Sequence, residues 1–241
     1  MIQRGTVAIV LAAGTGKRMN TAQKKQYISL KGYPILYYSL KAFEESQLER
    51  IVLVTGEEEL SYCQNEIVKK YGFQKVTAVV AGGKERYHSV YNGLMAAKGP
   101  DYVLIHDGAR PFVTQDIIMR TLDGARAWGA CVAGMPAKDT IKIADKDGFA
   151  KDTPDRSKVW VVQTPQSFSY DLILPAYQNL IEMEQNGHTV TVTDDAMVLE
   201  LFGCNKVKLA EGSYDNIKIT TPSDLSVAEN IIRMRLNMEI K

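Results

Sequence analysis

Cysteine is scarce in this 241-residue chain: Cys63, Cys131 and Cys204 are three, an odd number with no paired spacing. That argues against a disulfide framework and a cysteine-rich zinc site, and it makes a reducing cytoplasm the expected compartment. All three read as small buried or half-buried thiols. His88 and His188 share no metal-ligand spacing either. An excess of one charge is also missing. Lys and Arg number 29 against 28 Asp and Glu, a net charge of +1, whereas a general nucleic-acid binder shows a strong basic surplus; no nucleic-acid partner is expected. Nor does any run approach the roughly 18 apolar residues that span a bilayer, so no membrane partner is expected. The apolar run Val7–Ala13 is too short for a secretory leader, and glycines and Lys17-Arg18 follow it at once. It reads as a buried first strand. There is no internal repeat and no low-complexity segment.

What is present is ordinary globular usage, 45% hydrophobic and 24% charged. The length suits one large α/β domain whose core needs no staples. Short apolar runs alternate with helical patterns. Strands are predicted at Val7–Leu11, Ile51–Thr55, Val76–Val80, Tyr102–His106 and Ala130–Met135. Helices are predicted between them at Pro34–Phe43, Glu57–Tyr71, Glu85–Ala97 and Thr114–Trp128. Pro34 suits a first helical position, and Val90, Leu94 and Ala97 share one helix face. Further on come a strand at Val159–Gln163, helices around Asp171–Gln185 and Asp194–Phe202, a strand near Val207–Leu209 and a helix from about Pro222 to Asn237. Such alternation means βαβ units with right-handed crossovers. The expected fold is α/β and Rossmann-like, a mostly parallel sheet with helices on both faces, in a single domain over residues 1–241.

Residues Lys138–Lys158 break the rhythm. Eleven of these 21 residues are charged. Asp145-Lys146-Asp147-Gly148 is a turn signal between strand-like pieces at Thr140–Ile143 and Phe149–Lys151. Composition alone favours a solvated surface hairpin. The other reading is an arm that leaves the sheet and reaches a partner subunit.

The loop after the first strand, Val10-Leu11-Ala12-Ala13-Gly14-Thr15-Gly16-Lys17-Arg18-Met19, lets backbone N–H groups approach an anion closely. It is not a P-loop: Leu11 stands where the first Gly belongs and Arg18 where the metal-binding hydroxyl belongs. Nor is it a dinucleotide fingerprint, because Met19 holds the third Gly position. A tight turn with no ligand is the bland alternative. Lys17, Arg18, Lys24 and Lys25, clustered within nine residues, favour phosphate binding instead, since fixed cations beside glycines at the carboxyl end of a strand suit a triphosphate.

These residues, with Lys25-Gln26-Tyr27, resemble the signature of nucleotidyltransferases that load a small phosphate onto a nucleoside monophosphate. Six further segments follow in order. They are Gly82-Gly83-Lys84-Glu85-Arg86 with Ser89-Val90, then His106-Asp107-Gly108-Ala109-Arg110-Pro111-Phe112, then Asp139-Thr140-Ile141-Lys142. After these come Gln163-Thr164-Pro165-Gln166, Thr193-Asp194-Asp195-Ala196 and Asp215-Asn216-Ile217-Lys218-Ile219-Thr220. From about residue 7 to 229 the set resembles the 2-C-methyl-D-erythritol 4-phosphate cytidylyltransferases of non-mevalonate isoprenoid synthesis. The ribitol-5-phosphate cytidylyltransferases share the first loop and general plan and stand as the alternative; a nucleotide-binding module without turnover is a third reading. Three positions depart from the family pattern. Leu11 and Lys24 stand where proline is usual, and Gly108 replaces a commoner Ala. Without the proline ring, which fixes φ, Lys24 leaves its loop less stiff.

The resemblance implies attack by a phosphate-monoester oxygen on the α-phosphorus of CTP, with pyrophosphate leaving. It assigns Leu11, Ala12, Ala13, Gly14 and Gly16 to base and phosphates, and Arg18 and Lys25 to the α-phosphate and the departing pyrophosphate. Gly83 and Ser89 fall near cytosine, and Asp107 near ribose, acceptor and a divalent cation, Mg²⁺ by expectation. Arg110, Thr140, Arg156, Thr193 and Lys218 fall to the acceptor phosphate and polyol. Arg18, Lys25, Arg156 and Lys218 are the catalytic candidates. The resemblance also implies a homodimer interlocked through residues 138–158. Each residue has a plainer reading. Arg18 or Lys25 alone suits a solvated surface, Asp107 could cap a helix, and Thr193-Asp194-Asp195 is equally a helix start with acids in its first turn. Lys218 alternates with apolar neighbours as the solvent face of a strand would. His106 reads as a hydrogen-bonded core histidine.

Overall fold

The computed structural model describes residues 5–14, 16, 19, 24–203 and 206–239, the last four of these by backbone alone. Strand β1 (Thr6–Ala12) is buried along its length. The small antiparallel pair β2 (Ser29–Leu30) and β3 (Tyr33–Pro34) leads into α1 (Ile35–Glu44). Next comes β4 (Arg50–Thr55), then a helical run in three pieces: a 3₁₀ turn at Glu57–Glu59, α2 (Leu60–Tyr62) and a π-helical stretch at Cys63–Lys69. β5 (Val76–Ala81), α3 (Arg86–Ala97), β6 (Tyr102–Asp107), α4 (Gln115–Trp128) and β7 (Ala130–Pro136) complete the predicted alternation. The ends of α4 are written in the sequence: the Thr114 side chain accepts from the Ile117 N–H, and Gly129 takes the left-handed conformation that closes a helix.

After β7, short strands β8 (Ile143–Ala144) and β9 (Ala150–Asp152) pair antiparallel by themselves. The turn joining them is held by Asp145, whose carboxylate accepts from the N–H groups of Asp147 (3.0 Å) and Phe149 (2.9 Å). The first piece is shorter than the pattern suggests and the second keeps its length but begins one residue later. Every residue from 138 to 158 is exposed except Ile141 and Pro154, which are half-buried.

β10 (Trp160–Ser169) runs straight into α5 (Tyr170–Gln185), followed by α6 (Asp195–Phe202), β11 (Lys208–Glu211) and α7 (Pro222–Glu239). The seven-stranded sheet has the order β11-β7-β10-β6-β1-β4-β5. β10 is antiparallel to both its neighbours, and the other pairs in the sheet are parallel. β10 also outruns the predicted Val159–Gln163. Pro165 has no N–H for a ladder and reads as a stop. Instead the register shifts between Val162 and Gln166, and pairing resumes beyond the proline.

Both faces of the sheet are covered. From β1, Val7 and Ile9 enter a core with α3, α5 and α6, while Ala8, Val10 and Ala12 enter another with α1, α4 and the π-helical stretch. α7 packs on Leu30, Ile35, Phe112 and Ile219 as a third cluster. No described helix is long and apolar enough to cross a membrane. The chain moves from β1 out to β4 and β5, then returns to place β6 on the other side of β1. That reversal opens a crevice at the carboxyl ends of β1 and β6, where ligands of open α/β sheets bind. Leu11 lies directly beside Asp107 there.

The helix above this crevice lies close because of Gly93. A Cβ built on it falls 2.5 Å from Ile9 Cγ2 and 3.0 Å from Val54 Cγ2, both core atoms. Ala favours a helix over Gly by about 1 kcal/mol, but overpacking a core costs about 1–3 kcal/mol. The Gly93→Ala protein is therefore expected to be less stable by about 1 kcal/mol in urea unfolding; equal or greater stability would contradict this packing.

Candidate active site

The crevice is a cleft of about 340 Å³. Leu11, Ala12, Ala13, Gly14, Lys25, Gly83, Ser89, Asp107 and Lys218 all line it, so the fold gathers the residues that the sequence pattern grouped. The strand-1 loop is shaped by Gln26, whose buried amide donates to the carbonyls of Ala12 (2.5 Å) and Gly14 (3.2 Å). Gly16 sits behind Lys25 at φ +66°, where a side chain would be strained. Arg18 lies outside the described residues. On the opposite wall, Ser89 accepts from the Gly83 N–H (3.0 Å) and donates to the Glu85 carbonyl (3.3 Å), so it shapes the Gly82-Gly83 turn. Side chains are kept off that turn by contact, since a Cβ on Gly82 would meet Ala13 at 2.5 Å. His88 braces the same turn. Its Nδ1 accepts from the Glu85 N–H (3.2 Å), and its Nε2 lies 2.7 Å from Glu184.

Asp107 ends β6, buried, with three cations around it. Lys218 Nζ lies 2.8 Å from Oδ2, Arg110 Nε 3.8 Å from Oδ2 and Arg86 Nε 3.6 Å from Oδ1. Burial opposes the charged carboxylate, but Arg86, Lys218 and Arg110 together outweigh it and hold the group far below the usual carboxylate range. Its backbone N–H donates to Thr164 Oγ1 at 3.0 Å. Arg110 is anchored by donating to the Asn216 carbonyl at 2.8 Å, and burial lowers its pKa. A second cavity of about 310 Å³ adjoins the first and is lined by Arg110, Thr164, Thr193 and Asp194. Arg86, Asp107 and Lys218 belong to both cavities and form the wall between them.

Arg86 is the residue that sequence reasoning passed over. Its guanidinium grips the fully buried Asp195 with two bonds of 2.7 Å while facing Asp107. Burial disfavours its charge, yet Asp195 and Asp107 raise its pKa well above the usual value. The quoted Gly-Gly-x-x-Arg segment was the available signal; the partner 109 residues away was not legible. Thr164 was likewise quoted but given no role. Asp194 proves to be the cap of α6, accepting from the Met197 N–H at 3.0 Å, and Asp195 is buried structure. Lys218 faces Asp107 rather than open solvent. Thr140 and Arg156 line neither cavity of their own chain. Both are exposed, and Arg156 donates to the Lys138 carbonyl at 3.0 Å.

His106 is the core histidine that its apolar strand suggested. It is fully buried between Thr164 Oγ1 (3.0 Å from Nδ1) and the Arg110 carbonyl (3.2 Å from Nε2). Burial lowers its pKa from 6.5 to about 4 despite the nearby Asp107 carboxylate. The unfolded chain then binds a proton near pH 6.5 that the folded chain refuses until about pH 4, so stability falls as pH drops through that window. From pH 7 to pH 5 this amounts to about 2 kcal/mol. Urea unfolding of the His106→Asn protein is expected to lack that share of the loss, whatever its baseline stability; parallel pH slopes would contradict the assignment.

Comparison with known proteins agrees with this geometry. The family model of 2-C-methyl-D-erythritol 4-phosphate cytidylyltransferase matches residues 6–234. Proteins of that name from Lachnoclostridium phytofermentans and Clostridium kluyveri are 50% and 51% identical over 226 and 231 residues. These alignments cover 94% and 95% of this chain and 95% and 97% of theirs. A crystal structure of 4-diphosphocytidyl-2C-methyl-D-erythritol synthase from Anaerococcus prevotii superposes with a TM-score of 0.83 at 32% identity, covering 96% of this chain and 97% of that one. A match over nearly the whole length, in sequence and in fold, means that the chain belongs to the 2-C-methyl-D-erythritol 4-phosphate cytidylyltransferase family.

Proposed function

We propose that this protein joins CTP and 2-C-methyl-D-erythritol 4-phosphate into 4-diphosphocytidyl-2-C-methyl-D-erythritol, releasing pyrophosphate. The observation that carries the reading is the pair of adjoining cavities that share the Arg86–Asp107–Lys218 wall. The nucleotide takes the larger one, between Leu11–Gly14 with Gly16 behind and Gly83 with Ser89; the acceptor takes the other, beside Arg110 and Thr193. The acceptor phosphate needs no base, because its second pKa is about 6 and it is mostly dianionic at pH 7. An oxygen of that phosphate bonds to the α-phosphorus, the bond to the β-phosphate oxygen breaks, and pyrophosphate carries the electron pair away. The work left to the protein is positioning and charge neutralisation. Lys25 faces the α-phosphate and leaving group, a role the family resemblance also gives Arg18, while Lys218 and Arg110 face the acceptor. Three cations against the carboxylates of Asp107 and Asp195 leave the shared wall net positive, which suits two polyanions.

Among the described residues no group of three or more His, Cys, Asp or Glu is placed to hold a metal ion. The single carboxylate Asp107 where the cavities meet still fits Mg²⁺, which binds through one or two carboxylates plus substrate phosphates and keeps several waters. Asp107 would hold it there, and the ion when bound supplies neutralising charge to the phosphates. The free thiols of Cys63 and Cys131 suit a cytoplasmic enzyme.

Pyrophosphate release with each nucleotide and acceptor tests the reading. CTP with 2-C-methyl-D-erythritol 4-phosphate is expected to turn over well ahead of ATP or GTP and of ribitol 5-phosphate. Equal rates with a purine, or faster use of ribitol 5-phosphate, would overturn it.

The exposed 138–158 arm belongs to the same proposal as a dimerisation element, with Thr140 and Arg156 completing the neighbour's acceptor site. One self-complementary exchange then builds two equivalent sites, and the Arg156 guanidinium offers phosphate a fork that Lys lacks. Lys25→Ala is expected to cost about 100-fold in turnover with little change in melting, and Arg156→Ala is expected to be similarly impaired. Co-refolded, the two chains form mixed dimers with one whole site each, so roughly a quarter of wild-type activity returns under random pairing. Activity no higher than that of the separate variants, with mixed dimers demonstrated, would place Arg156 in its own chain's site.

A further inference from the structure

Two adjacent lysines follow the first loop, and the structure gives them different surroundings. Lys25 lines the nucleotide cleft. Lys24 places its Nζ 2.5 Å from Oε1 of Glu59, in a pair only 31% and 16% exposed. Glu59 closes the turn that Gly56 opens after β4, its N–H donating to the Gly56 carbonyl at 3.0 Å, so the pair fixes the loop to the end of a core strand. The other carboxylate oxygen of Glu59 is buried and has no hydrogen-bond partner among the described residues. The segment after Lys25 has its own anchors: Gln26 on the Ala12 and Gly14 carbonyls, and the Tyr27 hydroxyl 2.8 Å from Thr55 Oγ1. Just before Lys25, the Lys24–Glu59 pair is an anchor among the described residues. Lys24 stands at φ −61° and ψ 136°, and its carbonyl accepts the Tyr27 N–H (3.0 Å) that opens the single helical turn Lys25–Tyr27. The direction in which Lys25 leaves the backbone is therefore set one residue upstream. A proline ring holds φ near −65°, almost the value that Lys24 adopts.

We propose that Lys24 is a positioning residue, whose ion pair with Glu59 orders the turn from which Lys25 reaches the cleft. This rests on the assignment of Lys25 to the nucleotide phosphates. The ammonium of Lys24 does not touch substrate; it replaces by charge the stiffness that a ring supplies by covalent geometry.

The test compares Lys24→Ala, Glu59→Gln, their combination and Lys24→Pro by kcat, KM and melting. It also follows the rate of tryptic cleavage after Lys25, read by the mass of the fragment. Misplacing a group by a fraction of an ångström to 1 Å costs about tenfold to 100-fold in rate. Lys24→Ala and Glu59→Gln are each expected to lower kcat about tenfold with the acceptor KM unchanged, and the combination to be no worse than either, because both remove one interaction. Both should also speed cleavage after Lys25. Lys24→Pro is expected to keep near-wild-type kcat and slow cleavage, a rescue without charge that a substrate-binding lysine would not allow. Wild-type kcat in Lys24→Ala would overturn the proposal. A Lys24→Pro protein as slow as Lys24→Ala would also overturn it, by assigning the charge to substrate. If the wild-type protein itself makes no pyrophosphate from CTP, the functional reading fails, and the cleavage rates alone decide the loop: equal rates in wild type and Lys24→Ala refute the ordering role.

Discussion

Everything at the site hangs on one buried carboxylate. Three cations converge on Asp107 from α3, from the loop after β6 and from the segment before α7. Two like charges 4 Å apart repel by about 4 kcal/mol at an effective dielectric of 20. Arg86, Arg110 and Lys218 would drive one another apart without the anion among them. Asp107 does more than tolerate them. It fixes the distance between the two cavities, because the side chains that it holds are the wall between them.

That carboxylate is placed by the strand that departs from the parallel rule. β10 enters antiparallel between β6 and β7, and its irregular stretch after Val162 turns Thr164 toward the Asp107 N–H and the His106 ring. Gln163, in the same stretch, donates to the Ser213 carbonyl, and its Oε1 accepts from Asn216, the residue whose carbonyl anchors Arg110. Three residues on, Gln166 accepts from the N–H groups of Asp195 and Ala196 and donates to Asp194. That fixes the start of α6, and Asp195 in turn holds Arg86. A ladder unbroken through Pro165 would point neither Gln163 nor Thr164 to the same places. Through Asp195, Gln166 ties β10 to the Arg86 that faces Asp107.

Much of this was legible in the sequence. Period and punctuation located β1, β4 through β7 and the helices between them. The loop glycines beside Lys25 marked the carboxyl end of β1 as a site. Asp107 could be picked out because it follows an apolar strand and precedes Gly108. What failed to read was long-range or broke a local rule. The strand expected at Val159–Gln163 stops short of Pro165, and β10 continues past it. Arg86 was visible in a motif, but its partner Asp195 read only as an acid in the first turn of a helix, which it is, and nothing in the pattern showed that it also holds Arg86. Lys218 alternates with apolar residues, so the pattern fits a solvated strand face as well as a buried pair. The helical run at 57–69 reads as one amphipathic helix, although three hydrogen-bonding geometries share it. Periodicity senses which face is buried, not which carbonyl each N–H chooses.

A negative charge at the centre of a site for two polyanions looks self-defeating, and charge accounting shows why it is not. A cluster of bare ammonium and guanidinium groups in a partly buried wall would pay desolvation with nothing in return, and the flexible Lys218 would swing toward water. Asp107 keeps the cations aimed while no phosphate is bound. An arriving phosphate then exchanges partners with a carboxylate already in place; it does not have to assemble the cation cluster itself. The cost of ordering Arg86, Arg110 and Lys218 is met by folding, through Asp195, the Asn216 carbonyl and Asp107, and is not charged again to substrate binding or to the transition state. The same logic runs through the strand-1 loop, where Gln26 and the Lys24–Glu59 pair hold the backbone around Lys25. In both walls the cations, or the backbone that carries them, are held by neighbouring protein groups before any phosphate arrives, which is how position alone can do the work that the proposed reaction leaves to the protein.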